Sequence, residues 1–162
     1  MMAKRASIDA GFDNTHVFFP MVRYPAELYK LLEIANKEGL IKFGGKTKFG
    51  FMVELGPNVI AINAFLDILL EYLSPEQFIL SFGTNDLTMV TYLKDRELAA
   101  LGKYESRHSA LARQLVHVIK QAHKRNPRIE VSICGNAPSN DPKFLELLVR
   151  AGINQLGVFP DV

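Results

Sequence analysis

The chain has 162 residues, 48% of them hydrophobic, 22% charged and 10% aromatic, which suits one soluble globular domain with a sizeable core. A formal charge of +2, with Lys and Arg scattered along the chain, excludes the dense basic surface that nucleic acid or a membrane surface would select. The single cysteine, Cys134, excludes an internal disulfide, and neither a run of about 18 apolar residues nor a secretory signal is visible, so a cytoplasmic protein is expected.

Residues 1–15 are polar, lack periodicity and read as a lead-in to one domain over residues 16–162. HVFFPM, residues 16–21, is a continuous apolar run and predicts a strand buried on both faces. Pro25 suits a first helical turn, and Leu28, Leu31, Leu32 and Ala35 recur at helical spacing until Gly39. FGFMVEL, residues 49–55, predicts a second buried strand, broken by Gly56 and Pro57. A helix through Val59, Ile62, Phe65, Ile68, Leu69 and Tyr72 follows and closes near Ser74 and Pro75.

The third strand, FILSFG, runs into Thr84, Asn85 and Asp86, a polar elbow before a short helix over residues 87–93. Any one of these three side chains could instead cap that helix. Residues 95–108, DRELAALGKYESRH, form a long polar connection, a length that compact domains tolerate mainly where a site is covered. A strong amphipathic helix over residues 110–123 leads to a fourth strand, EVSICG, at residues 130–135. Asp141 and Pro142 start a helix that runs to Gly152, and INQLGVF, residues 153–159, predicts a fifth strand. Strands alternating with helices imply a parallel sheet with right-handed crossovers, either doubly wound or closed as a barrel.

In such a sheet the carboxyl ends of the strands share one face, where ligands bind. Glu54 closes the second predicted strand, Asp86 follows the third and Cys134 closes the fourth. Two carboxylates are what Mg²⁺ takes, together with waters and substrate oxygens. Asn85 adds a hydrogen-bonding amide, and Arg23 and Arg96 are available to clamp an anionic group. Each residue also has a structural role open to it: Glu54 and Arg96 on the surface, Asp86 as a helix cap, Cys134 as a small buried hydrophobe. The four histidines show no metal-ligand spacing, and no phosphate loop, dinucleotide fingerprint or Ser-His-Asp arrangement is visible.

SFGTNDLT, residues 81–88, resembles the S-I-G-[TS]-N-D-[LM]-T signature of the phosphoenolpyruvate (PEP)-utilising enzymes. FMVELGPN, residues 51–58, is similar to the family's M-x-E-x-P strand with Gly56 inserted, and KDRE, residues 94–97, to its D-R-[GD] turn. FFPMVR, residues 18–23, and the ending ICGNAPSNDPKFLELLVRAGINQLGVFPDV resemble the PEP synthase branch most closely. The resemblance implies a (β/α)8 barrel of which this chain holds about the last five strands. It further implies Glu54 and Asp86 as ligands of a Mg²⁺ that bridges the oxygens of pyruvate, and Asn85, Arg96 and Arg23 as contacts to the phosphoryl group or substrate. Cys134 would be the acid/base at C3. The implied partners are pyruvate or phosphoenolpyruvate, and a second copy or another chain to supply the remaining strands. The phosphohistidine and ATP-binding segments have no counterpart in these residues, so the full ATP-dependent reaction is not expected of this chain alone. Two other readings stand beside this one: a non-catalytic assembly module, and a Mg²⁺-dependent lyase of the citrate-lyase type, against which the Cys134 strand argues.

Overall fold

A computed structural model describes residues 9–12, 16–42, 46–93, 109–135 and 137–158. The elements follow the predicted alternation: β1 His16–Phe19, α1 Pro25–Lys37, β2 Lys48–Val53, α2 Gly56–Ile60, α3 Ile62–Tyr72 and β3 Phe78–Gly83. They continue with α4 Thr84–Tyr92, α5 Ala110–Arg125, β4 Glu130–Cys134, α6 Ala137–Asn140, α7 Pro142–Ala151 and β5 Gln155–Leu156. All strand pairs are parallel, in the order β1-β2-β3-β4-β5. An order that never reverses has no switch point of the kind a doubly wound sheet requires. Right-handed crossovers then carry successive helices along one side of the sheet, and α1 packs on α3, α3 on α5 and α5 on α7.

Strand pleating separates two sets of side chains. Phe49, Phe51 and Val53 of β2 lie beside Phe78, Leu80 and Phe82 of β3, and Val131 and Ile133 of β4 extend two of these rows. All are buried and form the core with α1, α3 and α5, as in the Phe51–Phe65 ring pair at 4.8 Å. The opposite face carries Met52, Ser81 and Ser132 in one row. Toward its amino-terminal edge Lys48 Nζ reaches across β3 to Glu130 Oε1 at 2.8 Å, and Gln155 Nε2 donates to Glu130 Oε2 at 2.9 Å.

Several elements differ from their predicted extents: β1 ends at Phe19 and β2 at Val53, each two residues before the predicted end. The predicted helix through Val59 starts at Gly56, with Pro57 in the first turn where no N–H is needed, and is interrupted at Ala61 (φ −100°, ψ 22°). α4 starts three residues before the expected Leu87, because the chain passes from Gly83 straight into the helix. Thr84, Asn85 and Asp86 therefore form its first turn instead of a preceding elbow. The final strand is two residues long, prolonged by single bonds from Asn154 N to Val131 O and Gly157 N to Ile133 O. The expected connection over residues 95–108 lies outside the described residues. No described helix is long and apolar enough to cross a membrane.

Candidate functional site at the strand ends

The site is organised around Gly83, the last residue of β3. Glu54 stands one residue past the Val53–Phe82 pair on one side, and Cys134 is the register partner of Gly83 on the other. All three continue the Met52–Ser81–Ser132 row, so they occupy the face away from the helices. Gly83 is there for space: a Cβ on it would lie 2.5 Å from Glu54 Oε2 and 2.9 Å from Glu54 Cβ. The bare backbone at Gly83 thus lets the Glu54 carboxylate come up against the start of α4.

Glu54 is only 3% exposed. Its Oε1 accepts the Met21 N–H at 2.6 Å, a short, charge-assisted bond. Among the described residues no Lys or Arg lies within ion-pair distance of it. A carboxylate taken out of water needs compensating positive charge or several hydrogen bonds. Asp86 follows three residues after Gly83 in the first turn of α4, half-buried, where the helix dipole favours a negative charge. The N-cap position itself is taken by Gly83, so Asp86 stands within the first turn and not at the N-cap.

Cys134 ends β4, is exposed, and has its Sγ 3.3 Å from the Phe82 carbonyl oxygen, which accepts a weak S–H bond. Its backbone is tied to α4 by Thr84 Oγ1, which donates to Cys134 O at 3.0 Å. Gly135 follows at φ +127°, and a Cβ there would collide with Thr84 Oγ1 and lie 3.2 Å from Asn85 Oδ1. Asn85 thereby sits against the turn that follows Cys134.

The predicted arginines are placed differently. The Arg23 side chain is 66% exposed and is held by Glu27, with Nη2 at 2.7 Å and Nε at 3.1 Å from Oε1. The Arg23 backbone N–H and guanidinium hold the Glu27 carboxyl below its ordinary range, and that carboxylate in turn raises the guanidinium. Arg96 lies outside the described residues. Glu54, Asp86, Asn85 and Cys134 thus gather around Gly83, while the Arg23 guanidinium is engaged elsewhere.

One buried polar residue at this end escaped the sequence reading. Asn58, fully buried in α2, accepts from Leu55 N at 2.9 Å and Glu54 N at 3.2 Å, and donates through Nδ2 to Val22 O at 2.7 Å. A side-chain oxygen reaching back to the residue before a helix is half of a capping box, and an Asn just past Gly-Pro was the available signal.

The chemistry of Glu54 and Asp86 fits Mg²⁺: two carboxylates, one of them buried, would offer hard oxygens, the donors this ion takes beside its waters. The class of protein is a parallel α/β sheet with carboxylates and a thiol at the carboxyl ends of adjacent strands, the place where such sheets put their functional sites. The particular family is shown by comparison: the PEP-utilising enzyme, PEP-binding domain family matches residues 2–162, and the chain belongs to it. It is 36% identical over 155 residues, 95% of this chain, to the probable phosphoenolpyruvate synthase of Pyrococcus horikoshii. It is 35% identical to the phosphoenolpyruvate synthase of Aeropyrum pernix over 161 residues, and 32% identical to that of Aquifex aeolicus over 152 residues. The matched region is 18% of the Pyrococcus horikoshii and Aeropyrum pernix proteins and 17% of the Aquifex aeolicus protein, so the chain spans under a fifth of these relatives.

Proposed function

We propose that this chain supplies the PEP/pyruvate-binding, C3-protonating part of a PEP synthase-like phosphotransferase in the cytoplasm. The observation that carries the reading is the cluster at Gly83: buried Glu54 on one flank, Cys134 on the other, Asp86 in the next turn. Glu54 and Asp86 would hold Mg²⁺, which when bound supplies positive charge to the carboxylate and neighbouring oxygen of the substrate. Asn85 would hydrogen-bond the substrate's oxygens. Arg23 would do so after leaving Glu27, an exchange of one surface ion pair for a charge-assisted bond. Arg96 would take the phosphoryl group. Cys134 holds and moves the proton at the carbon that becomes the methyl group of pyruvate, a task for one well-placed thiol.

The sheet would be the last five strands of a (β/α)8 barrel, in keeping with its unreversed order. A second copy or a partner chain would then cover the face bearing Phe18, which is 44% exposed. That need for cover is also what favours the second reading, a non-catalytic assembly module. Exchange of pyruvate methyl protons for deuterium in the presence of Mg²⁺ tests the proposal. Exchange should be catalysed by the unaltered chain and should fall by about 10²- to 10⁴-fold in Cys134→Ala. Equal rates in the two chains would refute the role of Cys134, and no exchange by either would favour the assembly module.

A further inference from the structure

Met21 is one of two described non-glycine residues with a left-handed backbone, at φ +53°. An unbranched L-residue is strained there, so surrounding contacts must hold it. Two side chains do so, Glu54 just past β2 and Asn58 in α2. Glu54 Oε1 takes the Met21 N–H at 2.6 Å, and Asn58 Nδ2 takes the carbonyl oxygen of the next residue, Val22, at 2.7 Å. The Asn58 carboxamide oxygen meanwhile receives the N–H groups of Glu54 and Leu55. With Val22 2% exposed and Asn58 fully buried, the two strand ends are joined by a clamp whose Asn58–Val22 bond is shielded from water. The turn over residues 21–23 is thereby fixed against the residue that carries the site's buried carboxylate.

We infer that Asn58 is a positioning residue for Glu54. Its amide N–H holds the strained turn against β2, and the turn's Met21 N–H in turn fixes the rotamer of the Glu54 carboxylate, with Oε1 engaged and Oε2 presented beside Gly83. The inference rests on the reading of Glu54 as a cation ligand for its functional consequence, and on geometry alone for the clamp. In the Asn58–Val22 half both partners are buried, so water does not readily replace that bond. In the other half Glu54 is buried and Met21 lies at the surface. Asn58 matters through its two-sided chemistry: the oxygen caps α2 and the N–H₂ holds the turn. An Asp at this position keeps the first function and loses the second.

Asn58→Asp in the full chain separates them, read by amide hydrogen exchange and by a Mg²⁺ titration followed at the Gly83 and Asp86 amides. The Met21 amide should be protected in the unaltered chain and exchange about tenfold faster or more in the variant, the factor for one lost hydrogen bond. The Glu54 and Leu55 amides should keep their protection, and the Mg²⁺ midpoint should rise about tenfold once the carboxylate is no longer fixed. Unchanged Met21 exchange in a folded variant overturns the clamp whatever Mg²⁺ does. If the variant does not fold, the unaltered chain decides, since an unprotected Met21 amide overturns the clamp equally. Should the clamp behave as expected while Mg²⁺ leaves the unaltered chain unmoved, the ligand reading of Glu54 fails and with it the positioning role.

Discussion

Gly83→Ala is a perturbation that bears directly on the space Glu54 occupies. Its backbone, at φ −90° and ψ 81°, does not need glycine, so the variant reports space alone. The new methyl would stand 2.5 Å from Glu54 Oε2, 2.9 Å from Glu54 Cβ and 3.3 Å from Met52 Cε. Ordinary contact begins near 3.4 Å, so Glu54 must retreat by close to an ångström at its carboxylate while Met52 needs only a small adjustment. That retreat stretches or breaks the 2.6 Å bond to Met21 N. A hydrogen bond to a charged group contributes about 1.5–3 kcal/mol, and for a chain of this size each kcal/mol shifts Tm by about 2–4 °C. Gly83→Ala should therefore lower Tm by about 3–12 °C in calorimetry and shift the Met21 amide upfield as its short bond is lost. A variant with the Tm and Met21 resonance of the unaltered chain would refute the claim that Gly83 makes room for Glu54.

Cys134→Ala removes an exposed thiol with one weak bond to Phe82 O, so its stability should stay within about 1 kcal/mol of the unaltered chain while methyl exchange is lost. A large fall in Tm would mean that Cys134 is structural. The Glu27 carboxyl, held below its ordinary 4.5 chiefly by the Arg23 N–H, stabilises the folded chain above that pH and loses the contribution as pH falls through its depressed value. Glu27→Gln should accordingly flatten the acid side of the stability curve and leave the region near pH 7 to 9 parallel to the original.

Much of the fold was legible because the two periodicities are strong here. Phe49, Phe51 and Val53 alternate with Gly50 and Met52, and Leu111, Leu115, Val118, Ile119 and Ala122 recur at helical spacing; all of these core positions are buried. Asp141 was read as a helix start and accepts from Lys143 N and Phe144 N as a cap does. What local pattern could not show was set by tertiary contact. Thr84 looks like a loop residue, yet its hydroxyl is spent on Cys134 O and it is 1% exposed inside α4. β5 is confined to Gln155 and Leu156, paired with Ser132 and Ile133, although β4 runs on to Cys134, an extent no sequence window contains. At the site, Glu54, Asp86 and Cys134 were named from their places at strand ends. Asn58 was missed because its partners are backbone atoms of residues 22, 54 and 55, two of which are near in sequence and one 36 residues away. Arg23 reads as an anion clamp by residue type, and only its distances to Glu27 show where the guanidinium rests.

We propose that Glu54, Asp86 and Cys134 form one site for Mg²⁺ and a small carboxylate of the pyruvate or oxalate kind. NMR titration of the full chain with Mg²⁺ and oxalate together tests this most directly. The Glu54 and Asp86 carboxyl signals and the Cys134 Cβ signal should shift along one saturating curve, which Mg²⁺ or oxalate alone reproduces weakly. Three signals that stay still at saturating concentrations of both, in a chain whose other resonances are those of the fold, would contradict it.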